Sequence, residues 1–226
     1  MFERLQAHYG PTHWWPAETP FEVALGAILT QNTAWRNVEK AVHALKALGL
    51  LDPLLLLEAT DDVLHECLRP TGYFRRKADR VRHFCRFLIE RADGSMEVLA
   101  HMPNLREALL AIHGIGHETA DDILLYACGH SVFVVDAYTR RVLYRHGFTR
   151  MATAPYETLR RYLESALPRD VGVYREFHAL LVYVGKDYCR RVPQCAGCPL
   201  SPLLRRGEPR MDRRHGKRIN EVRLGG

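Results

Sequence analysis

No run of apolar residues in this chain approaches the roughly 20 needed to span a bilayer, and its start, Met1-Phe2-Glu3-Arg4-Leu5, lacks a basic segment followed by an apolar core. Membrane and secretory readings are set aside on that ground, and a cytoplasmic protein with no membrane partner is expected. Internal repeats, collagen-like periodicity and low-complexity tracts are missing too. With 47% hydrophobic and 26% charged residues over 226 positions, the composition is that of a folded globular protein. Strand patterning is nearly absent: only Val132-Phe133-Val134-Val135 resembles a strand, and four residues without a pairing partner do not build a sheet. Six cysteines without an export signal argue against a disulfide framework, because the cytosol keeps thiols reduced.

What is present is helical. From Glu22 to Leu29 an apolar run opens that continues at helical spacing through Val38, Ala41, Val42 and Leu45 to a stop near Gly49. A short helix over Asp61 to Leu68 follows the caps Thr60 and Asp61 and is stopped by Pro70-Thr71-Gly72. Amphipathic segments then cover Lys77 to Ala92, Asn104 to Ile112, Glu118 to Ala127, Ala137 to His146, Pro155 to Ala166 and Val173 to Asp187. The expected fold is all-α.

Lys and Arg number 32 against 26 Asp and Glu, a formal charge of +6. The excess is concentrated in Arg75, Arg76, Lys77, Arg80, Arg82 and Arg86, and in a tail of Arg205, Arg206, Arg210, Arg213, Arg214, Lys217 and Arg218. A solvated helix face and a frayed terminus account for these runs as well as a phosphate footprint does.

Chemistry is first legible in Leu110-Ala111-Ile112-His113-Gly114-Ile115-Gly116-His117-Glu118-Thr119-Ala120, where a Gly-hydrophobe-Gly turn joins two helices. Glycines let the backbone turn sharply so that N–H groups opening the next helix point outward, where a phosphate can accept them, while Ile115 packs back between the helices. A plain αα-hairpin would show the same pattern. Downstream, the apolar segment Val132 to Val135 delivers Asp136 to the start of another helix. Near the C-terminus Cys189, Cys195 and Cys198 read C-x5-C-x2-C, whereas Cys67, Cys85 and Cys128 stand singly in apolar helical contexts as small buried hydrophobes.

Taken in order, Leu29-Thr30-Gln31-Asn32-Thr33, Gly72-Tyr73-Phe74-Arg75-Arg76-Lys77-Ala78, the hairpin, Val135-Asp136 and the cysteine cluster resemble the helix-hairpin-helix base-excision DNA glycosylases, the superfamily of endonuclease III. The resemblance implies two helical lobes with a DNA-binding cleft between them, an inserted lobe over 21–135 and a second made of 1–20 and 136–226. It implies a monomer acting on double-stranded DNA with damaged bases, associated with the nucleoid. Asp136 would be the catalytic carboxylate, a role compatible with an N-cap. Gly114, Ile115, Gly116 and His117 would hold DNA. In endonuclease III a lysine after the hairpin attacks the sugar, and here Glu118 takes its position. A carboxylate forms no Schiff base, so the resemblance implies a monofunctional enzyme in which water replaces the base. His117 and Glu118 are otherwise simple polar first-turn residues, Glu favoured there by the helix dipole.

Within the superfamily, Trp14-Trp15-Pro16 and Leu-Thr-Gln-Asn-Thr-Ala-Trp at 29–35 look most like the type-III 3-methyladenine DNA glycosylases. By that resemblance Trp14, Trp15, Pro16 and Trp35 line a pocket for a flipped alkylated purine, whose positive charge favours stacking on indole. Gln31 would be the wedge filling the vacated stack and Tyr73 the probe of the opposite strand. The bland alternatives are core tryptophans, a Gln31 bonded to backbone, and a Tyr73 that only anchors its loop. Endonuclease III binds a [4Fe-4S] cluster through C-x6-C-x2-C-x5-C, and the fourth position falls here on Leu204. A [4Fe-4S] cluster on three cysteines competes with a zinc site and with a metal-free loop. Two other functions remain open, an endonuclease III-like glycosylase or weak lyase on oxidised pyrimidines and a noncatalytic hairpin DNA binder.

Overall fold

A computed structural model describes residues 1–211; Arg213, Arg214, Lys217 and Arg218 of the basic tail lie outside the described residues. Within them every regular element is helical: α1 (Phe2–Tyr9), α2 (Pro20–Leu29), α3 (Trp35–Ala47), α4 (Pro53–Glu58), α5 (Asp61–Leu68), α6 (Phe74–Ala92), α7 (Met96–Ala100), α8 (Leu105–Leu110), α9 (His117–Asp122), α10 (Ala137–Arg145), α11 (Thr149–Ala152), α12 (Tyr156–Ser165) and α13 (Val171–Asp187), with short 3-10 turns. No helix is long and apolar enough to cross a membrane.

The chain divides into two compact units, one of residues 15–130 and one of residues 1–14 with the described chain from 131 onward. The boundaries fall between Trp14 and Trp15 and between His130 and Ser131, rather than at the expected 20/21 and 135/136. Contacts of Trp15 with Trp35 and Tyr126 explain the first difference, since they commit Trp15 to the unit of residues 15–130.

In that unit α2 is buried on all sides, from Phe21 to Leu29 with only Glu22 less than buried. Thr19 accepts the Glu22 N–H and Pro20 opens the helix, both favourable at an N-terminus. The helix does not run on to Gly49. Thr30 returns its hydroxyl to the Gly26 carbonyl at 2.6 Å, Asn32 takes a left-handed φ of 55°, and the Thr33 N–H reaches back to Thr30. These local bonds compete with helix propagation, and α3 starts afresh at Trp35. After α9 the chain widens into one π turn, Ile123–Ala127, in which the Cys128 N–H bonds the Ile123 carbonyl.

In the other unit α13 forms the centre, burying Tyr174, Phe177, Leu180, Leu181 and Val184. The extended stretch Val132–Val135 is buried but unpaired as a strand. Its backbone donors go to side chains, Phe133 N–H to Glu164 Oε1 at 2.9 Å and Val135 N–H to the Tyr156 hydroxyl at 3.2 Å. That satisfies the buried amides without a sheet.

Cys67 and Cys85 are buried as expected, whereas Cys128 is half-buried. Burial pushes the thiols of Cys85 and Cys128 up to about 12, which suits inert packing groups.

Candidate functional site

Asp136 closes the extended stretch and caps α10. Its Oδ1 accepts the Thr139 N–H at 2.6 Å, so the side chain is fixed by the helix it starts. Oδ2 faces His178 Nε2 of α13 at 3.7 Å, and both residues are buried. Burial alone would raise the Asp136 pKa, but the His178 bond and charge and the Thr139 N–H outweigh it and hold the carboxyl below the usual range. The result is a buried carboxylate kept ionised, able to face developing positive charge or accept a proton.

The tryptophans part company. Trp15 packs edge-on to Trp35 with centroids 5.5 Å apart and lies 4.9 Å from Tyr126, which the π turn carries. Trp35 opens α3 and donates its indole N–H to Glu39 Oε1 at 2.9 Å. Gly26 of α2 leaves the space these rings use: a Cβ there would lie 3.2 Å from Trp15 Nε1 and 3.3 Å from Trp35. The Trp15 N–H is buried without a hydrogen-bond partner among the described residues, and its backbone sits at φ 73°, a strained conformation for so bulky a residue. Pro16 is exposed beside it, in a tight turn closed by the Ala17 N–H on the Trp15 carbonyl. Trp14 instead packs edge-on against Tyr183, with Lys186 Nζ 5.4 Å above its ring. Thr12 anchors that segment by donating its N–H and hydroxyl to the two carboxylate oxygens of Glu176, each at 2.9 Å.

The hairpin runs from α8 through Gly114-Ile115-Gly116 into α9. Ile115 is buried, Gly116 and His117 are exposed, and a bidentate Arg106–Asp121 pair at 2.6 and 3.1 Å joins the two helices. Gly114 has φ 92°, and any Cβ on it would strike the Arg80 side chain, so two constraints require glycine. Gln31 lies in the turn between α2 and α3, its Nε2 donating to the Gly114 carbonyl at 3.1 Å and the Thr119 hydroxyl at 2.9 Å, while Arg80 donates to its Oε1. Tyr73 is 64% exposed at a left-handed φ of 47° before α6.

Cys189, Cys195 and Cys198 line one small recess together with Arg145, His146 and Leu204. Arg145 donates to Cys189 Sγ at 3.2 Å, and Arg141 fixes the Cys189 carbonyl at 2.6 Å. Burial raises the Cys195 and Cys198 pKa, and the neighbouring thiols raise both further. Among the described residues no three His, Cys, Asp or Glu side chains are placed to hold a single metal ion. The residues therefore offer three sulfur donors around a recess, with an apolar side chain, Leu204, where a fourth would stand.

Residues 25–180 match the model of the HhH-GPD superfamily of base excision DNA repair proteins. The chain belongs to that superfamily. A Methanocaldococcus jannaschii protein assigned as a DNA repair glycosylase is 43% identical over 204 residues, covering 88% of this chain and 92% of that protein. Endonuclease III of Haemophilus influenzae is 30% identical, over 85% and 87% of the two chains. Among solved structures, the H. pylori 3-methyladenine DNA glycosylase bound to 1,N6-ethenoadenine superposes with a TM-score of 0.66 at 29% identity, over 82% of this chain and 96% of that one. A trapped endonuclease III–DNA intermediate superposes at 0.78 with 24% identity, over 91% and 93%, a likeness of fold.

Three residues of this HhH-GPD chain that bear on the site are invisible to motif reading. His178 sits in an apolar helix between Phe177 and Ala179 and reads as a core residue until α13 is packed against Asp136. Tyr126 is turned toward Trp15 by a π turn that a 3.6-residue period does not anticipate. Gly26 reads as a weak point in a helix, and only the packed rings explain it.

Proposed function

We propose that this DNA glycosylase-family chain is a monofunctional N-glycosylase that removes alkylated, 3-methyladenine-like purines from duplex DNA and leaves an abasic site without cutting the strand. The observation that carries the reading is the Trp15–Trp35–Tyr126 cluster shaped by Gly26. Methylation at N3 or N7 places positive charge on the purine, and an indole face attracts such a ring more than a neutral base. Glu39 accepts the Trp35 N–H and makes that ring more electron-rich. The similar H. pylori enzyme, named for 3-methyladenine, supports the same substrate class.

In the proposed reaction the C1′–N bond breaks with its electron pair leaving on the base. Water forms the new C1′–O bond and gives its proton to Asp136, which also stabilises the oxocarbenium-like charge on the sugar. A purine already carrying positive charge is a good leaving group, so one carboxylate suffices. His178 touches no substrate in this scheme; it keeps Asp136 ionised and oriented. Glu118, where the lyase lysine of endonuclease III would stand, offers no amine for a Schiff base.

Cys189, Cys195 and Cys198 would hold a [4Fe-4S] cluster through three thiolates. The three cysteines bordering one recess, with Arg145 against Cys189 Sγ, support that reading. Such a cluster supplies structural order to the C-terminal loop, and no step of the hydrolysis passes through it.

A second reading, action on oxidised pyrimidines with strand cleavage, draws on the 30% identity to endonuclease III of H. influenzae. One assay separates the two. Purified protein is incubated with methylated DNA and with duplexes bearing single oxidised pyrimidines, and free base is followed by chromatography and nicks by gel before alkali. Release of 3-methyladenine without nicks, lost in Asp136→Asn, supports the first reading; nicking of the oxidised duplex with no methylpurine released establishes the second. Binding that is indifferent to Asp136→Asn, with no base released, would leave only a DNA-binding hairpin.

A further inference from the structure

Helix α6 carries a buried lysine that the proposed chemistry does not use. Lys77 is 1% exposed, and its Nζ donates to the backbone carbonyls of Leu29 and Thr71, each at 2.8 Å. Both acceptors close a helix: Leu29 is the last residue of α2, and Thr71 ends the 3-10 turn Arg69–Thr71. Carbonyls at such ends have no donor within their own helix and gather the negative end of its dipole. One side chain therefore satisfies two chain ends. Burial, and after it the charge of Arg80, lower the Lys77 pKa to about 8. An amine that has lost its proton still has two N–H groups for two carbonyls, so the tie survives in either form.

The two tied carbonyls stand in the same relation to two other residues. Gln31 lies two positions beyond Leu29, and Tyr73 lies two positions beyond Thr71. One helical turn after Lys77, Arg80 grips the Gln31 amide oxygen and packs on Gly114 of the hairpin. The turn bearing Gln31 and the loop bearing Tyr73 are thus both fastened to α6 by Lys77, and through Gln31 and Arg80 to the hairpin.

The geometry points to Lys77 as a positioning residue that holds the Gln31 turn and the Tyr73 loop in fixed register, so that both enter damaged DNA as one piece. This rests on the reading of Gln31 and Tyr73 as DNA-inserting residues. Lys77 itself touches no DNA. Its contribution is to spare the complex the cost of ordering two separate loops at the moment of binding.

The test uses the full chain, a duplex holding a tetrahydrofuran abasic analogue opposite 2-aminopurine, and the matching undamaged duplex. Affinity and the fluorescence rise from unstacking are measured for wild type, Lys77→Met, Gln31→Ala, Tyr73→Ala and the Lys77→Met/Gln31→Ala double variant. Lys77→Met is expected to weaken abasic binding about tenfold and dull the fluorescence rise while undamaged binding changes less than about twofold, and Gln31→Ala is expected to add less than about twofold on top of it. Equal losses on both duplexes, no loss on either, or full additivity with Gln31→Ala would overturn the proposal. If Gln31→Ala and Tyr73→Ala both leave abasic binding unchanged, the reading beneath has failed and the proposal falls with it. Should Lys77→Met not fold, wild type with 15N-labelled lysine decides: Lys77 is the buried lysine among the described residues. Its exchange-protected Nζ signal must shift on adding the abasic duplex and not the undamaged one, and a signal indifferent to both overturns the assignment.

Discussion

Asp136 and His178 face one another at 3.7 Å in a buried setting, the carboxylate at the start of α10 and the imidazole in the middle of α13. Oδ1 accepts the cap bond, and His178 beside Oδ2 helps to hold the carboxyl ionised.

Asp136→Asn should preserve the cap, since Asn caps as well as Asp, and should lower base release by at least about 100-fold. His178→Gln removes a group that lowers the Asp136 pKa, so the acid limb of the rate profile should move to higher pH, with a rate loss of about tenfold at neutral pH. The sign for stability is the same. A carboxyl whose folded pKa is depressed contributes stability above its unfolded pKa of about 3.9, and loses it as pH falls through the folded value. Acid unfolding of His178→Gln should therefore begin at higher pH than that of wild type. An unchanged acid limb in single-turnover kinetics would remove His178 from the site.

Gly26→Ala should narrow the aromatic cluster, because the new methyl would meet Trp15 and Trp35 at tighter than ordinary contact. The expected result is a KM for methylated DNA raised about tenfold with a smaller change in kcat, the pattern of lost ground-state binding. Trp35→Ala should cost more than Trp14→Ala, since Trp14 packs on Tyr183 and Lys186 instead. Equal effects of the two in the base-release assay would mean the cluster is not the base pocket.

How much of this was legible in the sequence differs residue by residue. The cap role of Asp136 was legible because an apolar extended run delivering an acidic residue to a helix start is a local pattern; its catalytic role came from the resemblance alone. The all-helical architecture was legible because amphipathic period is local too. His178, Tyr126 and the break after Leu29 were not, for three physical reasons. A histidine's partner is chosen by packing, a π turn changes the period that pattern reading assumes, and α2 ends through the Thr30 hydroxyl bond to Gly26, the Thr33 N–H bond to Thr30 and the left-handed backbone of Asn32, all of which an apolar period passes over. The Trp-Trp pair read as one motif, yet its members join different clusters.

Glu118→Lys restores an amine after the hairpin. If the rest of the site supports attack on C1′, the variant should nick an alkylated or abasic duplex before alkali and be trapped on DNA by borohydride, whereas the parent should do neither. Nicking by the parent itself would show another amine at work and would end the monofunctional reading.

Leu204→Cys places a fourth thiol at the recess wall beside Cys189, Cys195 and Cys198. Iron and sulfide per chain, measured after purification under reducing conditions without oxygen, should be retained longer in this variant than in the parent, and Cys195→Ser should lose them. Zinc and no sulfide in both proteins would assign the loop to a different metal.

The unit boundary between Trp14 and Trp15 has a spectroscopic consequence. Adjacent indoles are usually a single chromophore for practical purposes, but here they report on separate bodies. Trp15 shares its surroundings with Trp35 and Tyr126, while Trp14 senses Tyr183 and the Lys186 cation. With no other tryptophan in the chain, replacing Trp14 by Phe leaves an emission belonging wholly to residues 15–130. Replacing Trp15 and Trp35 leaves one belonging wholly to the rest. The molecule thus comes with an optical label on each half, installed on either side of one peptide bond.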